Sequence, residues 1–366
     1  RHYAAIALRT SPGWVPERSI RFWLEVDKQS DRTGSRRIPL FKTTELQTSC
    51  RYYIQSELCC TLRLLVIRGE TMPEVIVGAH AAMPAERADQ ERFYAQLAER
   101  NLATALEIPF SDSIHEDMDW FAAQIRGRFR NCVVTGIPGT VRRLEKEPAF
   151  GLASTDDAAR KAAVAWTAEV RKAAEELNQL TGEQSVSFVH IHSAPGVRAS
   201  AEAFQRSLAD VAADTRFSAE VVIEHCDAYS PIFPGDKRFL SLITELAVAD
   251  EFGFAVNWGR SALEWQNPDR PRQHVEILAE AGRLRGLIFS GVAAVNTQWG
   301  RAWADLQLPL STDEPASLMT PQRVAECLAA SGDQPAYVGA KVKAPAGADV
   351  ETRLGIISAV AHLLNS

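Results

Sequence analysis

Residues Ser185–Pro195 read SVSFVHIHSAP, and residues Ser218–Tyr229 read SAEVVIEHCDAY. Each is an apolar strand that finishes in ionisable side chains. The first ends in His190 and His192, the second in Glu224, His225 and Asp227. A helix-like segment, about Ser200–Ala213, lies between them. Strands that carry such residues at their C-terminal ends are the mark of a barrel whose chemistry collects at one rim.

Working outward, strand and helix signals alternate eight times from Met72 to the C-terminus. Expected strands are Glu74–Ala81, Ala103–Pro109, Cys132–Gly136, Val186–His192, Ala219–Cys226, Phe254–Trp258, Gly286–Ser290 and Ala336–Lys343. Expected helices are about Glu86–Arg100, His115–Ile125, Thr155–Leu180 (Ser154 or Thr155 capping, Gly182 stopping), Ser200–Ala213, Lys237–Glu251, Arg270–Gly282, one opening at Thr320-Pro321, and Asp349–Leu364. A Gly/Pro loop is expected after the third strand, and a long loop over Gly291–Met319. The fold class is therefore α/β, a (β/α)8 TIM barrel. An open doubly wound sheet is the alternative, but no G-x-G-x-x-G follows the first strand.

Alternation along the strands then sorts the side chains. Gly339, Lys341 and Lys343 face inward on the last strand, as do Val222 and Glu224, His190 and His192, Glu107, and Asn257 on theirs; His80 follows Gly78 on the first. Charge inside a barrel is costly without a partner, so these residues imply a polar, ligand-holding mouth. Glu224 is the leading acid/base or metal-ligand candidate; its bland alternative is a salt bridge to Lys341 or Arg260. His190 and His192 read as a metal or substrate pair, or as hydrogen-bonded rim residues. Asp227 is a ligand candidate or a cap for its own loop. Lys341 is a carboxylate partner or a Schiff-base amine. Trp299 and Trp303, with Asp305 in the same loop, either lid the site by stacking on a sugar or pack the loop. His115 and His274 are expected to be solvated.

The chain has 366 residues, 46% hydrophobic and 23% charged, as soluble globular chains do. A net charge of −6 argues against nucleic acid as partner. No apolar run reaches the ~20 residues that span a bilayer, and Leu58–Ile67 is broken by Arg63. The six cysteines form no CxxC pair and read as reduced thiols in a cytoplasmic protein. Residues 1–71 differ: twelve Lys/Arg stand against seven Asp/Glu there, and 28 against 39 in the remainder. We expect a non-barrel N-terminal arm over 1–71, with the barrel over 72–366. Met72 is expected as the true start, the arm coming from a mis-assigned reading frame. The alternative is a poorly ordered native arm, an oligomerisation or targeting segment.

Seven stretches carry a resemblance: VGAHAAMP (Val77–Pro84), VHIHSAP (Val189–Pro195), VIEHCDA (Val222–Ala228), FAVNWGRS (Phe254–Ser261), FSG (Phe289–Gly291), WADLQLP (Trp303–Pro309) and VGAKV (Val338–Val342). The chain resembles the xylose-isomerase-like TIM barrels, a superfamily of sugar isomerases, epimerases and endonuclease-IV-type enzymes, and within it an uncharacterised bacterial branch, a domain of unknown function. The resemblance implies a sugar isomerase or epimerase acting by proton transfer next to a carbonyl. It also implies one divalent metal held by Glu, Asp, His and Glu on later strands. Glu224 matches the first ligand. Asn257, Ser290 and Lys341 stand at the other three, so three of four differ. Metal is then held through His190, His192, Glu224 and Asp227, or is absent.

In the metal-free version Glu224 takes the proton, and Lys341 with Asn257 or Arg260 steadies the enediolate oxygen. Glu224, Lys341 and His192 are the catalytic candidates. His80, Glu107, His190, Asp227, Asn257, Arg260, Trp303 and Asp305 are the substrate-binding candidates. The expected partner is a small-molecule sugar, with no membrane and no nucleic acid, and a homo-oligomer is left open. Competing readings are a metal-dependent hydrolase and a non-catalytic carbohydrate-binding barrel. The first is weakened because amidohydrolase-type barrels carry His-x-His on strand one, and here it lies on strand four.

Overall fold

The computed structural model describes residues 73–365. The expectations for residues 1–71 and Met72 lie outside the described residues. Strands β1 (Glu74–Val77), β2 (Ala105–Pro109), β3 (Cys132–Thr135), β4 (Val186–Ile191), β5 (Glu220–His225), β6 (Gly253–Asn257), β7 (Leu284–Phe289) and β8 (Tyr337–Ala340) pair in parallel, in chain order. Strand β8 closes onto β1, with Val75 opposite Val338 and Val77 opposite Ala340. Closure leaves no edge strand to protect. The (β/α)8 reading therefore holds.

Ten α-helices surround the strands among the described residues: α1 (Arg87–Glu99), α2 (Met118–Ile125), α3 (Ile137–Lys146), α4 (Asp157–Thr181), α5 (Ala201–Ala213), α6 (Leu242–Val248), α7 (Trp258–Leu263), α8 (Arg270–Glu280), α9 (Pro321–Ser331) and α10 (Val350–Leu364). Two of them, α3 and α7, were not expected. The Gly136–Gly139 stretch read as a loop opens α3, because Pro138 suits a first turn. Gly139 is needed there for space: a Cβ would lie 2.3 Å from the Trp166 ring and 2.7 Å from the Ser111 carbonyl oxygen. The long helix α4 is capped by Asp156, which accepts from Ala158 and Ala159, while Ser154 accepts from the Asp156 amide. Gly182 ends it at φ 75°. Thr320 caps α9 as expected, accepting from the Arg323 amide.

Other boundaries moved for visible reasons. Strand β1 stops at Val77, and Ala79–Ala82 form a 3₁₀ turn that carries His80. Helix α6 begins only at Leu242, capped by Ser241, because Lys237 and Arg238 are tied to Asp227. His115 precedes α2 and stacks on Phe121 with ring centroids 5.4 Å apart. No helix among the described residues is long and apolar enough to cross a membrane. The three described cysteines, Cys132, Cys226 and Cys327, are buried and free.

The lower barrel is filled by aromatic side chains. Tyr337 of β8 and Phe188 of β4 meet with ring centroids 4.9 Å apart, across the interior. Gly286 of β7 makes this fit, since a Cβ would stand 2.0 Å from the Tyr337 ring. Each such large buried side chain contributes about 1.5–3 kcal/mol of burial free energy. The ring therefore plugs the barrel below the polar mouth.

Candidate active site

Alternation places Glu224 of β5 inside the barrel, one step above Val222. Its carboxylate is fully buried and met from four sides. Arg260, in the short helix α7, sets Nη1 2.7 Å from Oε1. His192, just past β4, sets Nε2 2.8 Å from Oε2. Thr135 of β3 donates at 3.4 Å, and the Asn257 amide of β6 at 3.4 Å. His190 Nδ1 stands 3.6 Å from Oε2, and its Nε2 meets the Tyr337 hydroxyl at 2.6 Å. The Thr135–Glu224 and His190–Tyr337 contacts cross between strands that are not neighbours, which shows the inward orientation.

Local structure explains Arg260. Asn257 ends β6 and caps α7, its side-chain oxygen accepting from the Arg260 amide at 3.2 Å. One turn of helix then aims the guanidinium back at Glu224. Burial raises the Glu224 pKa, but Arg260 and the two histidines outweigh it and hold the carboxylate well below its ordinary value. Burial lowers His192 to about 4 despite the Glu224 contact, so its imidazole is neutral at pH 7.

A second buried pair shares the mouth. Lys341, one residue beyond β8, sets Nζ 2.5 Å from Glu107 Oε1 of β2. The Lys341 amide still donates to Phe289, at 2.8 Å, so the ladder fixes it. Its stem lies over Gly78, where a Cβ would come within 2.9 Å of Cγ. The sequence offered Lys341 or Arg260 as the Glu224 partner. The structure gives Glu224 to Arg260, and gives Lys341 a carboxylate of its own. His80 is lowered to about 4 by burial and by Lys341.

Five buried polar atoms around the mouth have no hydrogen-bond partner among the described residues: His80 Nδ1, Glu107 Oε2, His190 Nδ1, Ser290 Oγ and Asp305 Oδ1. An unmet buried polar atom costs about 1–3 kcal/mol. Such groups concentrated at one place point to a polar occupant.

Two loops close over Arg260. Asp305, from the loop after β7, accepts from Arg260 Nε at 3.1 Å and lies 3.4 Å from Lys237 Nζ, in the loop after β5. Burial raises the Asp305 pKa, but Arg260 and Lys237 carry it below the carboxylate range. Asp236 accepts from the Asp305 amide at 2.6 Å and pairs with Arg301. Trp303 is half-buried at φ 51° and packs on the main core, while Trp299 packs on the loop cluster and donates to Glu314 at 2.6 Å. Asp227 is spent on backbone, accepting from Lys237 and Arg238 at about 3.0 Å. It acts as the loop cap and has no contact with Glu224 among the described residues.

The four positions that the resemblance assigns to a metal do not suit one. Glu224 is already neutralised by Arg260, Asn257 spends its oxygen on the α7 cap, and Lys341 is a cation. Of the four, Ser290 Oγ alone has no partner among the described residues.

His274, expected to be solvated, is fully buried in a second cluster on the outer face of β5. Strand alternation turns His225 away from Glu224 and into this cluster. His225 Nδ1 meets Glu245 of α6 at 2.7 Å, and its Nε2 meets Glu264 at 3.2 Å. Glu264 follows α7, pairs with Arg270 at 2.9 Å and lies 3.6 Å from His274 Nε2. Burial lowers the His225 pKa, but Glu245 and Glu264 outweigh it and raise it to about 10, so without a further cation this ring is charged. The sequence reading missed Tyr337, Glu245 and Glu264. The acidic pair had one signal: carboxylates on apolar helical stretches.

A family model described as Domain of unknown function (DUF4862) matches residues 76–356. The chain belongs to this family. An uncharacterised Salmonella typhimurium protein, STM3670, is 33% identical to this DUF4862 chain over 298 residues, covering 77% of the chain and 94% of that protein. Among solved structures, a xylose isomerase domain containing protein from Salmonella typhimurium aligns with TM-score 0.53 at 11% identity, over 81% of this chain and 98% of that one. An AP endonuclease of family 2 from Brucella melitensis aligns with TM-score 0.51 at 12% identity, over 77% and 96%. At such identities the likeness is one of fold. The DUF4862 barrel has the xylose-isomerase-like architecture.

Proposed function

We propose that this DUF4862 barrel is an isomerase or epimerase of a sugar or sugar derivative, moving a proton next to a carbonyl without a metal in its mouth. The observation that carries the reading is the mouth itself. Two carboxylates, Glu224 and Glu107, each stand beside a buried cation, Arg260 and Lys341, within a ring of unpartnered polar atoms. Polyols present many hydroxyls, and such a ring offers both donors and acceptors to them.

Glu224 takes the proton from the carbon next to the carbonyl. In the resting site it is a weak base, because Arg260 holds its charge. When the substrate oxygen draws Arg260 and Lys341 to itself, that hold loosens and the carboxylate becomes more basic. The two cations then stabilise the enediolate oxygen as charge develops there. Neutral His192 donates to Glu224 and fixes its orientation. Glu224 then returns the proton to the neighbouring carbon as the hydroxyl proton passes between the two oxygens, which restores the carboxylate, while Glu107, with one free oxygen, is placed to accept a sugar hydroxyl. The shape shared with a protein described as containing a xylose isomerase domain supports the sugar reading.

The test is a turnover screen against aldoses, ketoses and their phosphates in heavy water, read by NMR. Deuterium should enter the carbon next to the carbonyl of one substrate, and Glu224→Gln should stop it. Near-full exchange by that variant would end the reading. Sugar binding without exchange by the native chain would leave a carbohydrate-binding barrel.

A further inference from the structure

The cluster behind β5 has the donor set of a metal site, and it is separate from the barrel mouth. His225 and His274 each engage their Nδ1: one on the Glu245 carboxylate at 2.7 Å, the other on the Ser261 hydroxyl at 3.0 Å. Both Nε2 atoms are thereby turned towards the Glu264 carboxylate, at 3.2 Å and 3.6 Å. Histidines that bind metal are commonly held in this way, by a carboxylate or hydroxyl on the far ring nitrogen. The held chain extends further, since Ser193 donates to the other Glu245 oxygen at 2.5 Å.

We propose that His225, His274 and Glu264 bind one zinc-class divalent cation inside the wall of the barrel. Their donor atoms lie within 4.8 Å of one another. Tetrahedral zinc, with bonds of about 2.0–2.1 Å, sets its donors about 3.3 Å apart, so small side-chain shifts close the site. A second observation is independent of the donor list. Among the described residues His274 Nε2 is buried without a hydrogen-bond partner, in a residue that is fully buried. The hydrogen-bonded arrangement leaves that nitrogen unmet, 3.6 Å from Glu264 Oε1, and sets both His225 nitrogens against carboxylates. A cation satisfies both histidines at once. Arg270 keeps Glu264 Oε1, at 2.9 Å, while Oε2, 3.2 Å from His225 Nε2, accepts from the Ala228 amide at 3.1 Å and has a second lone pair for the ion. With all three residues out of solvent the ion's role is structural: it fastens β5, through His225, to Glu264 and to helix α8, which carries His274, with a water as fourth donor.

The full chain, purified without chelator, should carry one zinc by elemental analysis. Stripping the ion should lower the melting temperature, and zinc but not magnesium should restore it. Cobalt put in its place should give the intense visible bands of tetrahedral nitrogen and oxygen ligation. His274→Ala should lose the ion, whereas Glu224→Gln, in the mouth, should keep it. Ser261→Ala, a milder change, should weaken zinc binding by about 10–100-fold with unchanged circular dichroism. Folded native protein that takes up neither zinc nor cobalt would overturn the proposal. So would metal retained by His274→Ala and lost from Glu224→Gln.

Discussion

Glu224 and His225 are consecutive, yet they belong to two buried polar clusters built on different logic. The inner one, in the mouth, joins carboxylates to permanent cations, Arg260 and Lys341, and leaves five polar atoms unmet. The outer one, behind the strand, joins carboxylates mainly to histidines, with Arg270 at its edge, and among the described residues leaves a single ring nitrogen unmet. Incompleteness on the inside suits a site that waits for a polyol. Near-completeness on the outside suits a fixed joint. The period-two alternation of one strand separates the two roles by a single residue.

The largest effect that can break this contrast is catalytic. Glu224→Gln should lower turnover by about 10²–10⁴-fold per folded molecule, measured against the sugar found in the screen. Next comes the Lys341–Glu107 pair. Lys341→Met strands a buried carboxylate and should cost about 3–5 kcal/mol in urea unfolding, while Lys341→Met with Glu107→Leu should recover most of it. Equal losses in the single and double variants would show that the pair is not an isolated unit.

Acid should act through His192. Its folded pKa, about 4, lies below the ordinary 6.5, so its stabilising share is complete above pH 6.5. That share is lost as pH falls towards 4, because the unfolded chain takes the proton first. The loss reaches about 3 kcal/mol, and unfolding midpoints from pH 7 to 4 should show it. His80 and His274, also lowered to about 4, add like shares, so His192→Gln should lessen the slope by about a third; an unchanged slope would remove His192 as one of its sources. The smallest effect belongs to the outer cluster. Glu245→Gln weakens the charge that holds His225 and should cost about 1–3 kcal/mol, visible as a lower melting temperature.

The fold was legible because the strands are short, apolar and evenly spaced, and because inward residues such as Glu224 and Lys341 sit near their C-terminal ends. The helices α3 and α7 were not, because Gly136, Pro138 and Gly139 read as loop and α7 is only six residues long. The mouth was legible residue by residue, but its pairing was not. Whether Arg260 or Lys341 takes Glu224 depends on the turn that Asn257 starts, a tertiary fact. The outer cluster escaped because His274 lies in a charged helical stretch, and its burial comes from packing that no local pattern shows.

The latch over Arg260 bears on how fast the mouth can be reached. Asp305 and Asp236 bind the loop after β7 to the loop after β5, and Asp305 also holds the guanidinium that faces Glu224. Any movement of the loop after β7 away from the loop after β5 breaks the Asp305–Lys237 pair and takes one counter-ion from Arg260 in the same event. In the proposed isomerase, loosening the loops and freeing the guanidinium that faces Glu224 are then coupled.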